Sequence, residues 1–203
     1  RGGRRPYGRH AMTVLSWVLA LVLVAGVVVV FLSWTAGRLD RMHIRLATAH
    51  ASLDRQLIDR ASIIRDFAVS GLVDPATTLV LVEAADNART APPDAREAAE
   101  GELSRLLRTV LDAPDAAADV WDRADEPHRE LLADLVAACE RVRYAHRFHN
   151  DLVERTQAMR RRPVVRVFRL AGRAPWPQAF VLDDVPPGGL MRLVGQAASG
   201  RPT

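Results

Sequence analysis

The sequence predicts an all-α protein in which an N-terminal transmembrane helix continues into an antiparallel four-helix bundle. An uncharged stretch of 27 residues lies near the N-terminus, and an amphipathic pattern with helical spacing follows it without a break. Hydrophobic residues make up 49% of the chain but aromatic residues only 5%, which is typical of a core packed by helices. Strands and helices do not alternate after the anchor, so antiparallel packing of amphipathic helices is the simplest arrangement.

The charge balance argues against one class of function, and the cysteine content leaves the cellular compartment open. All 28 basic residues are arginines, and the formal net charge is +4. Four arginines precede residue 10, so the remaining 24 arginines balance the 24 acidic residues. A neutral body disfavours a nucleic-acid-binding protein, because such domains carry a basic surface. A single cysteine permits no internal disulfide and does not identify the compartment.

The apolar stretch over residues 11–37 predicts a transmembrane helix over 12–36. A bilayer core about 30 Å thick needs about 20 apolar helical residues, and this stretch contains no charged residue. Trp17 and Trp34 lie near its ends, where interfacial aromatic residues are common. A cleaved signal peptide is the alternative, but its apolar region would be shorter, and residues 35–37 make a poor cleavage site.

The orientation in the membrane is left open by the sequence. Residues 1–11 form a basic tail, and the sequence does not decide whether this tail is native. With the tail present, its four arginines against three after the span favour a cytoplasmic N-terminus. If Met12 is the natural start, those charges are lost and the helical domain is expected in the cytoplasm. In both cases we expect a single-pass protein of the cell membrane.

Four amphipathic helices are predicted after the span, within residues 38–180. The first continues the span and ends before Gly71, a residue that suits a helix C-terminus. Its apolar stripe follows steps of three and four residues. The stripe consists of Leu39, Met42, Leu46, Ala49, Leu53, Leu57, Ile64 and Ala68.

The second and third helices are predicted from their caps. Asp74 is an N-cap followed by proline in the first turn, and the second helix ends at Pro92. Asp94 and Glu97 resemble a capping box that begins the third helix, which ends near Pro114. An acidic linker that has room for one short turn is predicted over residues 112–128. The apolar positions are Leu79, Val82, Ala85 and Ala88 in the second helix and Leu103, Leu106, Leu107, Val110 and Leu111 in the third.

The fourth predicted helix begins at Pro127 and is broken at Pro163. Its stripe consists of Leu131, Leu135, Ala138, Val142, Ala145, His149, Leu152, Thr156 and Met159. Residues 181–203 contain consecutive prolines and glycines, and we predict a flexible C-terminal tail with one turn over 190–194.

Three short motifs resemble the LemA family of small bacterial membrane proteins. Residues 51–61 (ASLDRQLIDRA) are similar to the family's helix after the anchor, and residues 99–107 (AEGELSRLL) to its A-E-x-E-L segment. Residues 140–153 (ERVRYAHRFHNDLV) are similar to its E-N-R-I and A-R-x-x-Y-N-x-x-V motif, with His149 in place of Tyr. The likeness covers residues 13–180 in the order of elements. It implies one N-terminal membrane helix, an antiparallel helical bundle and no established catalytic activity.

Asn150 is the candidate structural polar residue of the fourth helix. It borders the apolar stripe, although asparagine is an indifferent helix former. We predict a cross-helix hydrogen bond from Asn150 to Gln56 or Arg60 on the first helix. Such a buried polar contact selects one packing arrangement, so these three residues are predicted to form a structural latch.

No catalytic residue, metal site or cofactor is predicted. His146 and His149 share one side of a helix, but zinc needs three or four ligands and the other histidines are scattered. Cys139 lies beside the apolar stripe, and a nucleophilic thiol would need a lowered pKa and a nearby base. We therefore interpret Cys139 as a small core residue.

The most distinctive feature is a basic segment over residues 160–173. Apolar residues alternate with its arginines, so a short helix here would have an apolar side and a basic side. The favoured interpretation is that the apolar side packs on the bundle while the arginines face water or the acidic linker. The alternative is a contact of the arginines with anionic lipid or an acidic partner, ahead of nucleic acid. The arginines are Arg160, Arg161, Arg162, Arg166, Arg169 and Arg173.

These observations favour a non-catalytic helical scaffold or interaction module at the membrane surface. Expected partners are the lipid bilayer, an unidentified protein and a second copy of the chain, whereas nucleic acid is disfavoured. The alternative is a membrane-tethered sensor or enzyme that binds a metal or a small ligand at polar positions of the fourth helix.

Overall fold

The computed structural model describes residues 7–199, with side chains described from residue 15. Over this range the regular secondary structure consists of helices, so the all-α prediction is confirmed. Residues 1–6 of the predicted basic tail and residues 200–203 lie outside the described part. The described helices are α1 (Tyr7–Val69), α2 (Pro75–Thr90), α3 (Arg96–Leu111), α4 (Ala116–Arg123), α5 (Glu126–Arg160), α6 (Pro163–Val167) and α7 (Gly188–Ser199).

The chain forms two compact units. Of the described residues, one unit contains residues 7–44 and 155–176, and the other contains residues 45–154 and 177–199. Helices α1 and α5 therefore contribute residues to both units. We call them the anchor unit and the core unit, after the apolar stretch and the larger hydrophobic core that they respectively contain.

Helix α1 runs from the apolar stretch into the amphipathic region without interruption, as the sequence predicts. None of its most apolar 18-residue window is buried within the described chain. The helix is long and apolar enough to cross a membrane, which is consistent with a membrane anchor.

The core unit contains the larger hydrophobic core. Residues of α1, α2, α3, α4, α5 and α7 contribute to it. Phe67 of α1, Leu81 of α2, Leu103 of α3 and Leu132 of α5 are all fully buried there. A second buried cluster in the same unit consists of Leu53, Leu57 and Val142 together with Phe180, which lies in the segment before α7.

The predicted acidic linker is partly helical. Residues 116–123 form α4, and its Ala117 and Val120 are buried in the core. Together with Ala124 these residues follow steps of three and four, a helical spacing that the acidic composition of the segment obscured. The segment therefore contributes to packing rather than serving only as a connection.

The predicted flexible tail also contains a helix. Residues 188–199 form α7, and Leu190 is fully buried in the same core. A Cβ atom at Gly189 would lie 3.1 Å from the Cβ atom of Ala117 and 3.2 Å from the main-chain oxygen of Leu111. The glycine that suggested flexibility therefore permits close packing of α7.

The apolar stripes of α2 and α5 differ from the prediction: in α5, Leu132 is fully buried, whereas the predicted Leu131 is only half-buried. Helix α2 buries Leu81, whereas Leu79 is 69% exposed. Four successive apolar residues at 79–82 left the register open from sequence alone. The spacing of Leu81 with the buried Ala85 and Ala88 follows helical steps of four and three, which fixes the buried face.

The caps of α2 and α3 differ in how well they were predicted. The Asp74 carboxylate caps α2, as predicted. Helix α3 instead begins after Ala95, one residue later than Asp94 implied, and no side chain caps it. Glu97 accepts a hydrogen bond from the main-chain N–H of Val181, so it does not complete a capping box.

The anchor unit has its own small apolar cluster. Leu39 of α1, Met159 of α5 and Val165 of α6 are almost fully buried together. Met42 and Leu170 pack against this cluster. The basic segment is therefore attached to α1 just beyond the apolar stretch.

Candidate functional site

A hydrogen-bond network in the core unit holds the irregular segment before α7. We refer to residues 177–187 as the strap. The Oδ1 atom of Asn150 accepts a hydrogen bond from the main-chain N–H of Phe180 at 2.9 Å, and Nδ2 donates to the oxygen of Phe180 at 3.0 Å. Phe180 is also packed against Leu53 and Leu57. The Asn150 carboxamide thus satisfies both main-chain groups of a buried strap residue.

His146 extends this network to a second strap residue. Its Nδ1 lies 2.9 Å from Oδ2 of Asp184, and its Nε2 lies 3.0 Å from Nδ2 of Asn150. The Nδ1–H of His146 donates to Asp184. Nε2 accepts from Asn150 when it carries no proton, whereas its 2.8 Å contact with the oxygen of Phe180 is a hydrogen bond only when Nε2 carries a proton. Two strap residues are thereby fixed to one face of α5.

The predicted latch partners of Asn150 have other contacts. Gln56 Oε1 accepts a hydrogen bond from Nε of Arg141 at 3.2 Å. Arg60 NH2 lies 2.7 Å from Oε2 of Glu100. The structure therefore does not bring Asn150 together with Gln56 or Arg60, because strap main-chain groups occupy its carboxamide.

The Arg60–Glu100 ion pair lies between α1 and α3 in the interior. Its side chains are only 4% and 0% exposed. Burial raises the pKa of the Glu100 carboxyl, and the neighbouring Arg60 guanidinium opposes that rise. Oε1 of Glu100, Nε of Arg60 and Oγ of Ser104 have no hydrogen-bond partner among the described residues. The pair is therefore a costly polar contact that fixes the relation of two helices.

A pocket of about 470 Å³ lies beside the Asn150 network in the core unit. Leu53, Leu57 and Phe180 supply apolar lining. Asp54 forms an ion pair with Arg96, with 3.1 Å between Oδ1 and NH1. The polar lining consists of His50, Asp54, Arg96, Glu97, His149 and Gln178.

His149 is the buried histidine of this pocket, as its place in the predicted apolar stripe implied. It is 4% exposed, and its ring centroid lies 5.4 Å from that of His50. Burial lowers the pKa of His149, and the charges of His50 and His146 act in the same direction, whereas a hydrogen bond to Asn150 opposes them. Nδ1 of His149 lies 3.2 Å from Oδ1 of Asn150. This contact requires the proton on Nδ1, so the neutral ring has a lone pair on Nε2.

Within residues 15–199, no group of three or more His, Cys, Asp or Glu side chains is placed to hold a metal ion. Cys139 is a free, buried thiol in the larger core. Burial raises its pKa, and the charge of Arg60 opposes this only partly. A thiol of this kind is protonated at neutral pH and is a poor nucleophile.

The basic segment lies in the anchor unit, and its arginines differ in their contacts. Arg160 donates to the main-chain oxygens of Ala174, at 2.9 Å, and Pro175, and its guanidinium lies 5.0 Å from the ring centroid of Trp176. This predicted lipid-binding residue therefore has a structural role. Burial and the charge of Arg160 lower the pKa of His43. The remaining arginines, Arg161, Arg162, Arg166, Arg169 and Arg173, are exposed.

Sequence reasoning missed the residues that complete these contacts. Phe180 and Asp184 lie on the strap, which has no periodic pattern and is 30 or more residues from its partners on α5. Glu100 lies among several acidic residues of similar appearance in the sequence. The one signal of its burial is that it shares a face of α3 with Leu103 and Leu107.

No protein-family model, curated protein or solved structure matches this chain, so the resemblance of residues 13–180 to the LemA family stays a prediction.

Proposed function

We propose that this chain is a single-pass membrane protein of the LemA type whose antiparallel four-helix bundle is a non-catalytic scaffold or interaction domain at the membrane surface. The observation that carries the proposal is the apolar part of α1. Its side chains from Leu15 to Phe31 are exposed within the described chain, although they are almost all Leu, Val, Ala or Gly. Apolar surface on this scale is stable in lipid and would aggregate in water.

Features at the end of the apolar stretch support a membrane boundary there. Trp34 is 59% exposed, and the Arg38 guanidinium lies 5.9 Å from its ring centroid. The hydroxyl of Thr35 donates to the main-chain oxygen of Phe31 at 2.8 Å, so it adds no unpaired donor at this depth. Aromatic and arginine side chains together are typical of the membrane–water interface.

Two exposed aromatic side chains support an interaction role for the core unit. Tyr144 and Phe148 lie one turn apart on α5 and are 64% and 59% exposed. Exposed aromatic residues are enriched at protein–protein interfaces. The raised pKa of the Cys139 thiol argues against nucleophilic catalysis by the only cysteine.

The membrane half of the proposal is tested by alkaline carbonate extraction of membranes that contain the full chain. We expect the chain to stay in the membrane pellet. Val22→Arg combined with Val27→Arg should release it, because each arginine at the centre of a span opposes insertion by about 2.5–3.5 kcal/mol. Leu79→Arg with Val80→Arg is the matched control on exposed positions of α2 and should stay in the pellet. Release of the unaltered chain would contradict the proposal.

Sidedness is measured with one introduced cysteine. Cys139→Ala with Thr203→Cys leaves a single thiol at the C-terminus. Labelling by a membrane-impermeant maleimide in intact cells would place the domain outside. Protection until lysis would place it in the cytoplasm and agree with Met12 as the natural start.

The second candidate function is a membrane-tethered sensor for a metal or a small ligand. The observation that favours it is the pocket beside His149, whose neutral ring carries a lone pair on Nε2 when Nδ1 donates to Asn150. Metal analysis of the purified full chain tests the metal form. A stoichiometric transition metal that is lost in His149→Gln would support it, and absence of bound metal after zinc loading would exclude a zinc sensor.

A further inference from the structure

We propose that the basic segment binds the anionic phospholipid headgroups of the bilayer that α1 crosses. The inference rests on the proposed function, because it requires residues 12–36 to span the membrane. It assigns a partner to residues 161–173 that the scaffold role alone does not require.

The position of the segment along α1 is the first argument. Val165 and Leu39 belong to one buried apolar cluster, and Leu170 and Met42 pack against that cluster. Leu39 and Met42 follow Gly37, the last residue of the uncharged stretch, by two and five positions. At about 1.5 Å per residue these contacts lie roughly 3–8 Å beyond the end of the stretch. The headgroup region of one leaflet is about 5–8 Å thick, so the segment is held at headgroup depth.

The second argument is uncompensated charge. Residues 38–44 and 155–176 together contain nine arginines and one acidic residue, Asp40. Among the described residues, no ion pair is formed by the five exposed arginines of the segment. Water alone can solvate such arginines, but a cluster of four to eight beside a membrane span is the pattern that attracts anionic lipid.

The third argument is the apolar surface that accompanies the charge. Val167, Phe168 and Trp176 are 75%, 52% and 47% exposed. The guanidinium of Arg161 lies 5.9 Å from the ring centroid of Trp176, so charge and aromatic surface are adjacent. Cations next to exposed aromatic and aliphatic side chains match an interface of phosphate groups and acyl chains better than a nucleic acid.

The turn after α6 adds an independent observation. The main-chain N–H of Leu170 donates to the oxygen of Val165 at 3.0 Å, and that of Arg169 donates to the oxygen of Arg166 at 3.3 Å. These two bonds form a Schellman motif, which glycine usually completes in the left-handed conformation. Arg169 occupies that position with φ of 48°. The chain therefore keeps a cation where the backbone favours glycine, which agrees with a role for its charge.

The experiment measures lipid preference directly. The full chain is reconstituted into equal mixtures of phosphatidylcholine and phosphatidylglycerol, extracted in mild detergent, and analysed for the ratio of the two retained lipids. The test variant replaces four arginines with glutamine, and a second variant replaces the same four with lysine. The positions are Arg162, Arg166, Arg169 and Arg173. The matched control replaces four exposed arginines of the core unit with glutamine, at Arg55, Arg105, Arg123 and Arg147.

We expect the unaltered chain to retain phosphatidylglycerol in at least about tenfold preference, since each arginine near the surface contributes about a fivefold factor before screening. The glutamine variant should lose this preference, while the lysine variant and the core-unit control should keep it. Circular dichroism of each variant checks that helix content is unchanged.

Three outcomes would overturn the inference. Equal retention of both lipids by the unaltered chain would contradict the proposed headgroup site without contradicting the membrane anchor. Equal loss of preference in the core-unit control would indicate an effect of net charge alone. Tight binding of a single-stranded oligonucleotide that is lost in the glutamine variant, without lipid preference, would reassign the segment to nucleic acid. Release of the chain by carbonate instead indicates failure of the proposed function.

Discussion

The side chain of Asn150 pairs with both the main-chain N–H and the main-chain oxygen of Phe180, 30 residues later in the sequence. The Asn150 side chain thereby supplies one donor and one acceptor to the main chain of an irregular segment, as a neighbouring strand does within a sheet. This pairing explains how Phe180 of the strap can be buried although the strap forms no regular secondary structure.

Asn150→Ala should therefore destabilise the core unit. The substitution leaves the main-chain N–H of Phe180 without its partner and removes one of the two polar contacts at its oxygen, and we expect a loss of about 1–3 kcal/mol. Amide hydrogen exchange at Phe180 should also become faster. Arg147→Ala on the exposed side of α5 is the control and should change stability by less than about 0.5 kcal/mol. Unchanged exchange at Phe180 would contradict the assignment.

The buried ion pair predicts strong non-additivity. Arg60→Met and Glu100→Leu should each destabilise the chain by about 3–5 kcal/mol, because each leaves an unpaired charge in the interior. The double substitution should cost far less than the sum, since it removes both buried charges. Chemical denaturation of the four chains in detergent measures the coupling. Additive losses would indicate that the two side chains do not form the pair.

His149 predicts a pH dependence of stability. Its pKa in the folded chain lies below the value of about 6.5 that a histidine has when unfolded. The stabilisation from the neutral ring is therefore complete above about pH 6.5 and is lost as the pH falls below it. The Cε1–H resonance of His149 should titrate with a midpoint below 6.5. A midpoint at or above that value would show that burial does not dominate.

Packing of α7 is tested at two glycines of the same helix. Gly189→Ala should destabilise the chain by about 1–3 kcal/mol, because the added methyl group would lie closer to the main-chain oxygen of Leu111 and the Cβ atom of Ala117 than an ordinary van der Waals contact allows. At Gly195 an added Cβ meets nothing within 4 Å. Gly195→Ala should therefore stabilise the chain by up to about 1 kcal/mol through helix propensity. Thermal denaturation compares the two, and equal effects would argue against docking of α7.

Arg169 is held in a conformation that favours glycine. Arg169→Gly should raise the free energy of unfolding by about 1 kcal/mol, since the left-handed conformation disfavours a residue with a Cβ atom by about 1–2 kcal/mol. Arg173→Gly, outside the turn, is the comparison and should not stabilise the chain. A loss of stability in Arg169→Gly would indicate that the guanidinium has a structural partner.

The stripe residues could be predicted because burial of α1 and α5 follows the helical period. Leu53, Leu57 and Ile64 are all buried, as their spacing implied. Leu79 was misplaced because a run of four apolar residues fits two registers. The partner of Asn150 could not be predicted, because the strap lacks a period and its pairing uses main-chain atoms that every residue carries.

The distribution of charge in the structure was also difficult to predict from the sequence. The sequence after residue 10 is neutral as a whole, yet residues 155–176 contain seven arginines and no acidic residue. The net charge of the whole chain does not reveal this local excess of arginine. The buried cluster that Val165 shares with Leu39 relates the basic residues to the end of the apolar stretch.

The exclusive use of arginine gives the basic segment a fixed electrostatic state. Guanidinium groups stay protonated at every physiological pH, and without lysine the segment offers no side-chain amine for acetylation. Neither acidification nor acetylation can therefore weaken its attraction to phosphate. The strength of the contact would instead follow the lipid composition of the leaflet and the ionic strength, so that control of the contact lies in the membrane.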